Sequence, residues 1–211
     1  MSNNTSQLER LTFFSDAVFA IAITLLIIEV HVPHVSAIDD ASYWQALGEL
    51  RGSLLGFMLS FLVIGALWMS HHRVFGLLHD YSPRLMWPNL LLLMSVAFMP
   101  FATALMSSNP RARVPELVYS GTLLLAGLLQ NRLFNMALQA PYVRADAPAE
   151  EVEAARWRSW GLPTTAALSL IAAWFAPGWN NFLLLGIPVM VRLYAAAGRR
   201  RALRQEAVAG A

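Results

Sequence analysis

The 211-residue chain has no cysteine, no lysine and few charges of either sign: only 13% of its residues are Asp, Glu, Lys or Arg. The lack of cysteine excludes disulfides and thiolate metal sites. Soluble domains carry roughly 25% charged residues. The low charge here, beside 57% hydrophobic residues and a mean hydropathy of +0.50, excludes an ordinary soluble fold. Glycine and proline are missing from residues 17–32, so the first long apolar stretch is free to run as one unbroken helix. No small-residue cleavage site follows it, and the expectation is a retained membrane helix rather than a leader. No internal repeat is visible, which argues against a transporter assembled from inverted halves.

What is present is chain enough for about six membrane helices of roughly 20 residues each, joined by short loops. The expected fold is all-α: a single six-helix transmembrane domain over residues 1–211, with spans at about 13–32, 53–69, 85–106, 117–138, 162–175 and 182–197. The fifth span is the shortest, bounded by Pro163 and by the turn sequence Ala176-Pro177-Gly178-Trp179-Asn180-Asn181, so the last two spans form a hairpin. In the loop before the fifth, Asp146 offers a helix N-cap and Trp157 and Trp160 close a short interfacial helix.

Orientation follows from arginine. One side holds Arg10, Arg73, Arg84, Arg132, Arg144, Arg156, Arg158, Arg192, Arg199, Arg200, Arg201 and Arg204; the other holds Arg51, Arg111 and Arg113. Both termini are therefore expected in the cytoplasm, which requires an even number of spans. The exclusive use of arginine and the abundance of alanine suit a GC-rich bacterium, and hence a bacterial cell (inner) membrane. The net charge of +2 needs no nucleic acid, because the basic excess is accounted for by this loop bias.

The most informative residues stand at the mouth of the first apolar stretch: Arg10-Leu11-Thr12-Phe13-Phe14-Ser15-Asp16. A carboxylate in a membrane helix costs about 2.5–3.5 kcal/mol on insertion scales, so Asp16 needs a partner or a water-filled cavity. At about 100° per residue, Phe14, Ala17, Ile21, Thr24, Leu25 and Ile28 fall on one stripe and Asp16 on roughly the opposite side. Periodicity alone reads that stripe as ordinary helix packing. Arg10 and Phe14 share a face and permit a cation-π contact, whereas Arg10 and Asp16 are about 120° apart and do not pair within one helix. Partners for Asp16 are available across the bundle in Trp68-Met69-Ser70-His71-His72-Arg73 or in Asn89. His71 and His72 are adjacent, point about 100° apart and make a poor metal pair; interfacial hydrogen bonding is the better reading. Glu29, roughly 20 Å along the axis from Asp16, suits either an outer acidic vestibule or a snorkelling carboxylate. Gln130, Asn131, Arg132 and Asn135 read as glue between helices.

The string Arg-x-x-x-Phe-Ser-Asp followed by Ala-Val-Phe-Ala-Ile-Ala-Ile-Thr-Leu-Leu resembles the signature of the bacterial branch of the lysosomal potassium channel family, the transmembrane protein 175 family. Trp-x-x-His-His-Arg at 68–73, Trp87-Pro-Asn-Leu-Leu-Leu-Leu and Pro100-Phe101 resemble its second and third helices, and the likeness is clearest over residues 10–103. It implies a homotetramer in the lipid bilayer, with the first helix of each subunit lining a central pore. It further implies constrictions at Ile21, Leu25 and Ile28, selectivity positions at Ala20 and Thr24, no cofactor, and potassium as the permeant ion. Arg10, Phe14, Ser15, Asp16, Trp68, His71, His72 and Asn89 make up the motif and its interhelical network. The chain has no Thr-Val-Gly-Tyr-Gly filter, so any potassium preference arises differently from that of ordinary potassium channels. The expected function is passive potassium flux through a hydrophobically constricted pore. The alternatives are a proton-coupled secondary transporter titrating Asp16 and a membrane enzyme using the histidines, which would lack a second histidine cluster or an activated nucleophile.

Overall fold

In the computed structural model, residues 3–35, 39–80, 82–109, 111–139 and 141–209 are described. Helix α1 (Asn3–Leu25) starts well ahead of the expected span at 13–32, because Gln7, Leu8, Glu9 and Arg10 are good helix formers and nothing before them breaks the ladder. Its C-terminal end tightens into a 3-10 turn over Leu26–Glu29, and Val30 then leaves helical geometry. Helix α2 (Asp40–Glu49) is capped by Asp39, whose carboxylate accepts the Ser42 N–H at 2.9 Å. Helix α3 (Arg51–Phe75) follows after Leu50 alone.

The third apolar segment is two helices, α4 (Met86–Ala97) and α5 (Met99–Ser108), separated at Phe98. Pro100 explains the break, since it has no N–H to continue the backbone ladder and its ring crowds the preceding turn. Helix α6 (Arg113–Ala137) is followed by α7 (Ala149–Arg158), α8 (Gly161–Phe175), the short α9 (Asn181–Leu184) and α10 (Ile187–Ala209). The interhelical segment expected to begin at Asp146 does form a helix, but two residues later. Its N-cap position is Pro148, without a side-chain bond, and Asp146 instead lies 3.5 Å from the Arg144 guanidinium. Proline at 148 fixes the extended geometry from which the helix starts.

By length and composition three described segments can cross a membrane: Ser6–Glu29, Arg51–Phe75 and Pro83–Ser108. The chain is a membrane protein. The expected spans at 117–138, 162–175 and 182–197 fall on α6, α8 and α9 with the first half of α10, none of which combines the same length and hydropathy. Helix α6 carries Glu116, Gln130, Asn131 and Arg132, α8 has 15 residues, and α10 runs out into Arg199-Arg200-Arg201.

Helix α1 packs on α3 and α4, and α6 stands in the middle against α3, α4, α5 and α8, while α10 lies along α7 and α8. Phe19, Leu26, Ile64, Leu92, Met99, Tyr119, Leu123 and Phe134 are fully enclosed. A buried hydroxyl chain crosses three helices: Thr103 Oγ1 donates to Ser60 Oγ at 2.8 Å, and Ser60 Oγ lies 3.0 Å from the Tyr119 hydroxyl. At Gly198 a Cβ would sit 2.7 Å from the Glu153 carbonyl oxygen, so the missing side chain is what lets α10 touch the backbone of α7. One end of the bundle gathers the start of α1, where Gln7 and Arg10 meet Met86 and Leu90, and the contact of α7 with α10. There the loops after α3 and α6 are joined by His79 N–H to Tyr142 O at 3.0 Å and Arg144 N–H to Leu77 O at 2.9 Å.

Candidate functional site

Helix α1 has two faces of opposite character. Ser15, Phe19, Ala22 and Leu26 are buried against the rest of the chain, whereas Phe14, Ala17, Ala20, Ile21, Thr24, Leu25 and Ile28 are exposed. The stripe picked out by periodicity is thus left uncovered by the subunit itself: Ile21 is 57% exposed and Ile28 66%. The exposed arc also takes in Phe13 and Ile27, so it is wider than the stripe. Thr24 is the one hydroxyl on it, and its Oγ1–H is shared between the carbonyls of Ala20 at 3.0 Å and Ile21 at 2.9 Å. That leaves the hydroxyl lone pairs facing outward, while the backbone carbonyls of the continuous helix are committed to its own ladder.

Ser15 and Asp16, about 100° apart around α1, serve different neighbours. The Trp68 Nε1–H of α3 donates to Asp16 Oδ1 at 2.8 Å, and His72 Nδ1 approaches Asp16 Oδ2 at 4.0 Å. Trp68 and His72 also lie ring to ring, centroids 5.7 Å apart. Of the partners expected for the carboxylate, Trp68 and His72 meet it; His71 and Asn89 belong to a second, buried chain. Because Asn89 Nδ2–H donates to Ser15 Oγ at 2.9 Å, its Oδ1 is the atom left for His71 Nε2 at 2.9 Å, which makes Nε2 the donor. Ser15 Oγ–H in turn donates to Leu11 O at 2.8 Å. His71 stacks on Phe75 with centroids 4.0 Å apart, and its buried Nδ1 has no hydrogen-bond partner among the described residues. The chain fixes the rotation of α1 against α3 and α4.

Arg10 and Phe14 border one surface recess with Gln7, Leu11, Met86 and Leu90. The cation-π contacts found among the described residues are elsewhere: Arg113 over Trp174 at 5.1 Å and Arg201 over Trp157 at 5.7 Å. Among the described residues no three His, Cys, Asp or Glu side chains converge to hold a metal. His71 and His72 indeed point to different surroundings.

The residues read as glue behave so for Gln130, whose Nε2–H donates to Leu67 O at 3.0 Å, and Asn131, whose Nδ2–H donates to Ser159 Oγ at 2.7 Å. Sequence reasoning passed over Glu116. It is fully buried, and accepts from Asn181 Nδ2 at 2.9 Å and Asn180 Nδ2 at 3.2 Å, tying α6 to the turn between α8 and α9. The signal was a carboxylate beside an apolar segment, but the expected span begins at residue 117 and leaves it just outside.

The family model described as the endosomal/lysosomal potassium channel TMEM175 matches residues 10–100. A protein named a potassium channel from Chamaesiphon minutus is 39% identical over 181 residues, covering 82% of this chain and 89% of that protein. The chain belongs to the TMEM175 family. Another relative, from Streptomyces collinus and also named a potassium channel, is 37% identical and covers 78% of this chain and 83% of its own length. The crystal structure of a lysosomal potassium-selective channel TMEM175 homolog from Chamaesiphon minutus superimposes with a TM-score of 0.73 at 32% identity, over 92% of this chain and 98% of that one. The stretch matched by the TMEM175 family model spans the sequence-selected residues from Arg10 to Asn89, and ends before the Glu116 cluster.

Proposed function

We propose that the protein is a potassium-permeable cation channel in which four copies of the chain surround one pore lined by α1. The observation that carries this reading is the uncovered stripe of Ile21, Thr24, Leu25 and Ile28 on a helix whose opposite face is locked by Ser15 and Asp16. A single such stripe cannot enclose a path, and rotational symmetry supplies the remaining walls. The naming of the relatives as potassium channels supports the choice of ion. The crossing of α6, α8 and α10 completes six spans. Placing the start of α1, both arginine-rich loops and the end of α10 at one side of the bundle supports cytoplasmic termini in a bacterial inner membrane.

Rings of Ile21, Leu25 and Ile28 narrow the path, and apolar rings gate by dewetting. Ala20 leaves room beside them, and the Thr24 hydroxyls offer oxygens to a cation losing part of its water. The rest of the exposed arc, Phe13 and Ile27, faces neighbouring subunits. The transporter alternative lacks the unwound first helix it needs, since α1 is continuous from Asn3 to Leu25. The enzyme alternative lacks support from relatives that are named channels.

The test is flux. Replacing Ile21 or Ile28 with Asn should hydrate the constriction and raise potassium current in planar bilayers, or loosen discrimination against sodium. Unchanged currents for all three of Ile21→Asn, Leu25→Asn and Ile28→Asn would remove α1 from the path.

A further inference from the structure

Between α3, α6, α8 and α10 lies a cavity of about 430 Å³ that has no part in the proposed pore. Arg73, Arg158, Arg192 and Arg199 line it together, with Ser70 and Ser159 beside them, and no Asp or Glu does. Among the described residues none of the four arginines has a carboxylate within ion-pairing distance; the ion pairs formed are those of Asp16, Asp146 and Glu153 with other partners. Arg158, at the end of α7, is half-buried, and that burial, with Arg73 and Arg199 nearby, pushes its guanidinium below the ordinary arginine value, Glu151 offsetting part of the effect. Four like charges gathered round a partly dry cavity, with no ion-paired carboxylate among the described residues and only Glu151 near enough to offset part of the charge, are a site built for an anion.

The other half of the lining says which anion. Leu67 precedes Arg73 on α3 by six residues, Ile187 precedes Arg192 by five and Arg199 by twelve on α10, and Leu162 follows Arg158 by four, so, although Val191 is level with Arg192, the apolar lining extends further along the helices than the charges. Free phosphate could use the arginines but not this apolar depth. A phosphodiester bearing an acyl chain uses both, and basic pockets between membrane helices take such headgroups.

We propose that this cavity seats an anionic phospholipid, its phosphate on Arg73, Arg158, Arg192 and Arg199 and one acyl chain along Leu67, Leu162, Ile187 and Val191. The site requires α3 and α10 to stand in a bilayer and is independent of which ion the pore conducts. The purified oligomer in detergent is titrated with phosphatidylglycerol, phosphatidylcholine or inorganic phosphate while its thermal unfolding is followed. Phosphatidylglycerol should raise the melting temperature saturably and the other two should not. Each arginine near a lipid surface contributes about fivefold in affinity, so Arg158→Gln with Arg199→Gln should weaken the phosphatidylglycerol response about 25-fold. Arg144→Gln, exposed and paired with Asp146, should leave it unchanged. If the double variant does not fold, the exposed Arg73→Gln and Arg192→Gln serve singly, each expected to lose about fivefold. An equal response to phosphatidylcholine, an equal response to inorganic phosphate, or an equal loss in Arg144→Gln would overturn the proposal.

Discussion

The Asp16–Trp68 contact allows a test that separates a structural carboxylate from one in the ion path. The Trp68 indole donates to Asp16 at 2.8 Å, while His72 stands at 4.0 Å and contributes a weaker, protonation-dependent attraction. A hydrogen bond to a charged acceptor contributes about 1.5–3 kcal/mol. Both residues keep access to their surroundings, Trp68 at 37% exposure and the Asp16 side chain at 29%, so the freed indole finds another acceptor in part. The lower end, about 1.5 kcal/mol, is therefore the expected coupling. Asp16→Ala, Trp68→Phe and the double variant would be compared by denaturant-induced dissociation and unfolding of the oligomer, with potassium flux measured on the same preparations. In the expected result each single variant loses stability and current together, and the double variant is little worse than either. Additive losses would show that the pair does not interact. Unchanged stability in Asp16→Ala, with altered ion selectivity, would refute the structural role and place the carboxylate in the pore.

Asn89→Leu leaves the buried His71 Nε2–H without its acceptor and should cost about 1–3 kcal/mol, visible as a lowered unfolding midpoint even where α1 keeps its sequence. Glu116→Ala removes the acceptor of two asparagine amides and should destabilise the oligomer by a similar amount, about 1–3 kcal/mol, whereas Glu116→Gln should lose less; limited proteolysis at the turn between α8 and α9 would register the difference. Asp39 is held below its ordinary value of 3.8 chiefly by the Ser42 backbone N–H and hydroxyl. Its folded value being depressed, the cap on α2 is complete well above 3.8 and is lost as pH falls through the folded value. Hydrogen exchange across α2 should accelerate on acidification beyond the ordinary pH dependence of exchange, and Asp39→Asn should abolish that excess.

Which residues share the stripe on α1 was legible from the fixed angular step of an unbroken helix, but that the subunit leaves it uncovered was not, because periodicity alone reads such a stripe as ordinary packing. Trp68 was among the neighbours expected for Asp16 and donates to it, but that Asn89 and His71 would turn to Ser15 instead was not legible. Asp16 bonds across 52 positions and Ser15 across 74, and such pairings depend on the rotation of α3 and α4, which spacing within α1 does not encode. The expected single network is two separate ones in the structure, Trp68 and His72 at Asp16 and Asn89 and His71 at Ser15, while Arg10 and Phe14 border a surface recess. The third span read as one segment because hydropathy averages over Phe98, while Pro100 acts on single backbone bonds. Asp146 looked like a cap by residue type, but Pro148 decides where the next helix can start. Glu116 was missed at a boundary, where one residue separates an interfacial carboxylate from an enclosed one.

The Glu116 cluster also bears on how the chain is made. Asn180 and Asn181 lie 64 and 65 positions after the carboxylate they satisfy. At synthesis rates of about 5–20 residues per second, Glu116 is made roughly 3–13 s before its partners. During that interval the carboxylate has neither amide to meet, so in the proposed six-span arrangement α6 is expected to reach its final place only when the hairpin of α8 and α10 docks. A nascent chain stopped short of Asn180 would therefore carry Glu116 without either amide, and its C-terminal half is expected to reach its final packing only once synthesis has passed Asn181.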